Sequence, residues 1–295
     1  MAFKLSDEKI KLYNDRQKLI NKDLFPSDLT IISNTCIGGR LYHDYGKKFL
    51  SPTIDFYMEP ESFTRFCLNL KYYMNCEIKP LPDLKYDYLN NFYACDIGGL
   101  IALFGHTNDS YEKIITKWNE RKKRINYDNI VVICTDRNVL VEPFTRCSED
   151  VVKEFGKIPY KKIFFSTVDY KYDYVSYLPS FKNENGVPEA TRASLTKKGK
   201  YILEEDGFDL DEFLCSSSLL LSNINKLHTT ILGIERIKRN LNIDNVDVVE
   251  YLKNKILDKK CIITKRGKNY YCEIDNIIIT VNSYNYSIIT AHKRH

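Results

Sequence analysis

Residues 29–45, LTIISNTCIGGRLYHDY, decide the fold of the larger part of the chain. Leu29 to Ile32 is a short apolar, partly β-branched run, which reads as a buried strand. It stops at Ser33-Asn34, and Gly38-Gly39 then open a helix that reaches Tyr45. The same alternation continues outward. Ser51 to Met58 reads as a second strand. Pro60 starts a helix with Phe63, Phe66, Cys67, Leu70 and Tyr73 on one stripe. Tyr86–Cys95 and Leu100–Phe104 read as strands flanking a Gly98-Gly99 turn. Asp109 or Ser110 caps a helix that runs to Arg124 and turns Ile114, Ile115 and Trp118 inward. Ile130-Val131-Val132-Ile133 is the clearest buried strand. A helix from Pro143 to Phe155 and a strand at Ile163-Phe164-Phe165 follow. Strands alternating with helices predict a three-layer α/β domain with a mixed sheet over residues 1–214.

The end of the chain has a different grammar. Ser216-Ser217-Ser218 reads as a helix cap near the boundary. Helices are expected at Leu219–Leu227, Gly233–Leu241 and Val246–Leu257. Four short strands follow, Ile262–Lys265, Asn269–Ile274, Ile277–Val281 and Tyr286–Thr290, with tight turns at Arg266-Gly267-Lys268 and Asp275-Asn276. Helices followed by an antiparallel meander predict a small α+β domain over residues 215–295.

A chain of 295 residues suits two domains better than one. With 43% hydrophobic and 28% charged residues it is neither disordered nor fibrous. No apolar run approaches the ~20 residues of a membrane helix, and charges stand at the start where a signal peptide has its apolar stretch. A soluble, cytoplasmic protein is expected. The nine cysteines are odd in number and show no zinc spacing, so free thiols and no metal site are expected. From residue 215 onward, 13 Lys+Arg against 7 Asp+Glu give +6, while the first 214 residues carry 31 − 32 = −1. That imbalance suits either an acidic partner, nucleic acid or protein, at the basic end, or ordinary solubility charge.

Two stretches resemble bacterial families. Thr30-Ile31-Ile32-Ser33-Asn34, Gly38-Gly39, Tyr42 and Leu50-Ser51-Pro52-Thr53 form the first, continued by FTRFCLNLKYY at Phe63–Tyr73, by His106, and by Lys117–Arg121 with Arg124-Ile125-Asn126. This resembles an uncharacterised family often found with exopolysaccharide and surface-glycan genes. Cys36-Ile37 departs from it where an aromatic is expected. Asn225–Thr230, Gly233, Arg236-Ile237, Asn240-Leu241, Gly267–Tyr271 and YSIITAHK at Tyr286–Lys293 form the second, similar to a small family without an assigned activity. The resemblances imply a two-domain fusion and a link to glycan synthesis. They supply no catalytic residues and no cofactor.

Candidate residues follow from strand ends and helix starts, where α/β domains gather their chemistry. Asn34, Gly38, Gly39 and Tyr42 surround a strand–turn–helix whose free N–H groups suit an anion, such as the diphosphate of a nucleotide sugar. A sharp turn needing glycine is the alternative. His106 ends a strand as a base for a sugar hydroxyl or as a partner of the next helix start. Asp136 follows the Ile130–Ile133 strand as a catalytic candidate, able to bind a ribose hydroxyl or a divalent ion, or else as a cap. Arg121, Arg124 and Asn126 suit a phosphate or carboxylate, or else solvent. In the second domain His228, Arg236, Lys268, Tyr270 and His292 form a candidate site for nucleic acid, with the histidines as acid and base of a metal-independent ribonuclease. The leading expectation is a transferase in exopolysaccharide or surface-glycan synthesis, taking an activated, phosphate-bearing small-molecule donor and a glycan acceptor. Nucleic-acid binding or cleavage by the second domain, or protein docking through it, are the other readings.

Overall fold

The computed structural model describes residues 11–12, 14–16, 25–84, 92–105, 110–138, 140, 144–181, 204 and 206–294. They form two compact units. Unit 1 takes Ser27–Phe208 with Met1–Lys22, and unit 2 takes Asp209–His295 with Asp23–Pro26.

Unit 1 is built on a parallel sheet of β1 (Thr30–Ser33), β6 (Ile130–Thr135), β9 (Lys161–Ser166) and β10 (Val175–Tyr177), in that order. Between β1 and β6 the chain adds a second, antiparallel sheet in the order β2 (Phe56–Tyr57), β5 (Leu100–Phe104), β4 (Tyr93–Ile97), β3 (Ile78–Pro80). A small hairpin pairs β7 (Arg137–Asn138) with β8 (Thr145–Arg146). The parallel and antiparallel strands thus sort into separate sheets within one α/β unit.

Successive strand residues point to opposite faces, and β1 divides the layers accordingly. Helix α1 (Ile37–Asp44) packs on the Ile31 face, close enough that a Cβ on Gly38 would sit 3.3 Å from the Ile31 side chain. Ile32 faces the other way, into a core shared with Phe63 and Phe66 of α2 (Pro60–Leu68), Met74 of α3 (Leu70–Asn75), Trp118 of α4 (Tyr111–Lys122) and Phe155 of α5 (Glu149–Phe155). Phe56 and Phe104 bring the antiparallel sheet into the same core. Trp118 is 1% exposed and stacks on Phe56 at 6.2 Å, which makes it a core residue.

Three sequence expectations need correction. The strand expected from Ser51 to Met58 shrinks to Phe56–Tyr57. The Ser51 hydroxyl accepts from Thr53 N, and Asp55 takes a positive φ of 56°, so the chain turns before it can pair. The stripe from Phe63 to Tyr73 breaks at Asn69 into two helices. Within the helix expected from Pro143, Thr145–Arg146 pair with β7 instead, and the helix starts at Glu149. Residue 143 of the last expectation, and residues 86–91 of the strand expected at Tyr86–Cys95, lie outside the described residues.

Unit 2 is an antiparallel meander of β11 (Ile262–Arg266), β12 (Asn269–Ile274), β13 (Ile277–Asn282) and β14 (Ile288–Lys293). Gly267 takes a φ of 56° in the first turn, and Asp275 and Asn276 take 48° and 62° in the second. Two successive positive φ angles fit a tight hairpin and suit Asp and Asn better than bulkier residues. Helices α6 (Leu210–Leu221), α7 (Ile231–Leu241) and α8 (Val248–Leu257) cover one sheet face, burying Leu220, Ile237 and Leu252 against Cys272, Ile279 and Val281. Ser216–Ser218 sit inside α6 rather than at its start. Asp209 caps that helix by accepting from Glu212 N at 2.7 Å, and the Ser216 hydroxyl bonds back to Phe213 O. The helix expected over Leu219–Leu227 is correspondingly the end of α6 and a short 3₁₀ turn, Ile224–Lys226.

The outer edge of β1 has no strand beside it among the described residues, and side chains fill the place of one. The Tyr42 hydroxyl accepts from Ile31 N and donates to Leu29 O, both at 2.8 Å, and the Thr53 hydroxyl accepts from Ser33 N at 3.1 Å. Tyr42→Phe strands two buried backbone groups. It is expected to lower urea-unfolding stability by about 1–3 kcal/mol with the circular dichroism spectrum unchanged.

Candidate functional site

The carboxyl ends of β1, β6 and β9 meet at one edge of the parallel sheet, and each end contributes a polar side chain. Asn34 follows β1 and is fully buried. Its Oδ1 accepts from Thr135 N at 3.1 Å, and its Nδ2 donates to Thr135 O and to Met58 O. The carboxamide thus pairs with a backbone residue as a neighbouring strand would.

Asp136 follows β6 and is 2% exposed. Its Oδ2 accepts from the Ser166 hydroxyl at 2.7 Å and from Thr167 N at 3.0 Å, both at the end of β9. Burial pushes its pKa up, more strongly than these bonds and the positive charge of Arg146 pull it down. Beside it the Thr167 hydroxyl is buried with no hydrogen-bond partner among the described residues.

The β7–β8 hairpin sets Arg137 directly opposite Arg146. Like charges in that position repel. The Arg137 guanidinium lies 4.1 Å over the Phe144 ring, while Arg146 is exposed. The charge of Arg146 acts on Asp136, on Cys147 and on Tyr170 of the loop after β9. Burial raises the pKa of the Cys134 and Cys147 thiols, which makes them poor nucleophiles.

Helix α1 also starts at this edge. Ser33 Oγ accepts from Gly38 N at 3.2 Å, and Thr35 Oγ1 from Ile37 N at 3.5 Å, so two first-turn amides are held internally. A Cβ on Gly38 would lie 2.7 Å from Ser33 Oγ, and one on Gly39 would lie 3.1 Å from the Ile54 side chain. The glycine pair lets α1 approach β1 and the Ile54 turn. Tyr42 points to the edge of β1 and not to this end.

The remaining candidates of unit 1 lie elsewhere. Asn126 N donates to the Thr30 hydroxyl at 2.9 Å, and Asn126 Nδ2 to the Asp28 carboxylate at 3.0 Å. Arg124 donates to Phe49 O and pairs with Glu120, and Arg121 lies over the Phe49 ring. These three brace the amino end of β1, about 13 Å along the strand from Asn34 at ~3.3 Å per residue. The structure therefore brings Asn34, Asp136 and the start of α1 together and leaves Arg121, Arg124 and Asn126 apart. His106 lies outside the described residues. Ser166, Thr167, Arg137 and Arg146 were absent from the sequence expectation. Nothing in the sequence pattern singled out Thr167, and Arg146 was hidden inside the helix expected from Pro143 to Phe155.

In unit 2, His228 N donates to Tyr286 O, and His228 O accepts from Ile288 N at 2.7 Å, beside β14. Arg236 donates to Ile289 O at 2.9 Å. His292 pairs with Ile278 farther along β14. His228 bridges to Ser287, so the two histidines stand about 16 Å apart along the strand at ~3.3 Å per residue. Tyr270 is buried on the helix-covered face, where burial pushes its hydroxyl up to about 12, and Lys268 is exposed in the β11–β12 turn. The five residues do not converge on one spot.

Among the described residues no cluster of three or more His, Cys, Asp and Glu side chains could hold a metal ion, and no helix is long and apolar enough to cross a membrane. The fold and the polar edge define unit 1 as an α/β module with a parallel central sheet, and unit 2 is an α+β module. The chain belongs to the family described as "Domain of unknown function (DUF1919)", which matches residues 5–214, and residues 221–292 match "Protein of unknown function (DUF3781)". It is similar to an uncharacterized protein of Haemophilus influenzae, 26% identical over 210 residues, covering 68% of this chain and 94% of that protein. That coverage leaves the relative too little length for both domains.

The raised Asp136 pKa has a consequence for stability. The folded protein holds this proton at pH values where the unfolded chain, at the ordinary 3.8, has released it. Its contribution is therefore greatest below 3.8 and is lost as pH rises through the folded value. Asp136→Asn keeps an acceptor for Ser166 and Thr167 and removes the titration. Urea unfolding from about pH 4 to 7 is expected to show wild type losing stability relative to this variant as pH rises.

Proposed function

We propose that unit 1 is a group transferase acting in surface-glycan or exopolysaccharide synthesis, with an activated, phosphate-bearing donor bound at the carboxyl edge of its parallel sheet. The observation that carries this reading is the buried Asp136 followed at once by the opposed Arg137–Arg146 pair. Carboxyl ends of parallel strands are where α/β proteins bind nucleotides and phosphates. Arg137 and Arg146 bring positive charge to one hairpin face, and a diphosphate has the charge and oxygen spacing to accept from guanidinium groups. The unpartnered Thr167 hydroxyl offers a further donor at the same edge.

In this reading Asp136 serves as the acid–base group. A carboxyl whose proton is retained by burial lies nearer to the working pH than an exposed one, which is the condition for moving a proton to or from an acceptor hydroxyl. Ser166 and Thr167 fix its orientation. The resemblance of about residues 25–170 to a family found with glycan genes is what suggests the substrate class.

Calorimetric titration of the full chain with nucleotide sugars and acyl-coenzyme A tests the proposal. One donor class is expected to bind. Arg146→Ala should weaken it roughly tenfold or more, the worth of a charge-assisted hydrogen bond of about 1.5–3 kcal/mol. Asp136→Asn should bind donor normally and fail in transfer. Failure of every donor class to bind, or an unchanged affinity in Arg146→Ala, rejects the reading.

A further inference from the structure

Unit 2 contains two thiols in contact. In the β11–β12 ladder, Ile263 stands opposite Cys272. Cys261 precedes that strand by one residue and projects to the same side as Ile263. A turn holds it there, with Cys261 N donating to Asp258 O at 2.9 Å. Cys261 packs against the cluster that holds Cys272, the two thiols act on each other electrostatically, and neither is in a disulfide. Cys272 is 0% exposed, whereas Cys261 is half-buried and reaches solvent.

We propose that Cys261 and Cys272 are an oxidative modification site, a dithiol that a peroxide converts into an intramolecular disulfide. Cys261 is the attacking sulfur because solvent reaches it. It displaces one oxygen of the peroxide, becomes a sulfenic acid and releases water, or an alcohol from an organic peroxide. Cys272, already in contact, then attacks the sulfenic sulfur and expels its hydroxyl as water together with the Cys272 proton. Two thiols and one hydrogen peroxide give one disulfide and two waters, with two electrons passing from sulfur to oxygen. An accessible cysteine beside a resolving one is the arrangement that favours a disulfide over further oxidation.

Contact with Cys261 and burial raise the Cys272 thiol well above its ordinary value, so Cys272 is not the sulfur an oxidant meets first. The Cys134–Cys147 neighbours of unit 1 differ, since both are buried and neither offers an oxidant a first point of attack. A Cys261–Cys272 bond would fasten the entry of β11 to β12. On the same strand, Lys265 pairs with Glu212 of α6, and Ser217 bonds to Ile263 O. Oxidation would thus stiffen the edge of the meander that α6 covers. The inference is independent of what unit 1 binds.

Trypsin cuts after Lys260, Lys265, Lys268 and Lys293, which places the two cysteines on separate peptides, 261–265 and 269–293. The folded full chain, treated with hydrogen peroxide and then alkylated, is expected to lose two thiols and to yield these peptides linked. In Cys272→Ser, Cys261 should stop at a sulfenic acid that dimedone traps. In Cys261→Ser, Cys272 should remain reduced at the same dose. Linked peptide absent from the oxidised wild type, or Cys261 carried to sulfinic acid with Cys272 still reduced, overturns the proposal.

Discussion

Strand β1 is buried along its whole length, so every backbone N–H and C=O it carries needs a protein partner. On one side β6 supplies them through a parallel ladder. On the other side Tyr42 and Thr53 do so with hydroxyl groups, and at the carboxyl end the Asn34 carboxamide pairs with Thr135. Each unmet group would cost about 1–3 kcal/mol, against a net stability of about 5–15 kcal/mol for a typical domain. Much of unit 1 is arranged to meet that requirement. Helix α1 is drawn against β1 so that Tyr42 reaches its edge, and the close approach demands glycine at Gly38. The Ser51–Thr53 turn folds where a strand was expected, because Thr53 is needed at Ser33 N.

The same closure creates the polar edge. Side chains that tie strand ends together must be polar and buried, and they gather where β1, β6 and β9 finish. Asp136 carries this furthest. Its bonds to Ser166 and Thr167 hold β6 and β9 level, yet burial still outweighs them in setting its proton affinity. A structural tie and a carboxyl of raised proton affinity are therefore one group. The Arg137–Arg146 hairpin follows directly in the chain, so positive charge stands beside the carboxyl by connectivity as well as by folding.

Unit 2 meets the edge requirement with different residues. Thr229, Arg236 and Asn240 bond to the carbonyls of Ile288, Ile289 and Ala291 on β14, and His228 pairs with the backbone beside them. Arg236 and His228 stand out in the sequence as chemical groups, but their places are those of residues that close an unpaired strand. The Cys261–Cys272 contact arises from the opposite sheet edge, where the chain turns out of α8 into β11.

Periodicity and turn residues alone determined the division into an α/β part and a helix-then-meander part, the buried strands at Ile31 and Val131, the glycine turns and the four strands of unit 2, the last of which runs Ile288–Lys293 rather than Tyr286–Thr290 because Tyr286 takes a positive φ. These features are local: burial on both faces demands continuous apolar runs, and a tight hairpin demands residues that accept positive φ. The sorting of strands into a parallel and an antiparallel sheet was not legible, because strand pairing depends on partners about a hundred positions away, as Thr30 on Ile130. Nor was it legible that Asn34 and Asp136 would share an edge while Arg124 and Asn126 went to the other end. A side chain's neighbours across a sheet follow from register and crossover, and those are fixed only when the whole core packs. Arg146 fell within an expected helix for the same reason, since pairing with β7 takes Thr145 and Arg146 out of it. Sequence fixes which residues want to be buried or turned; tertiary structure decides which polar groups those buried segments bring face to face.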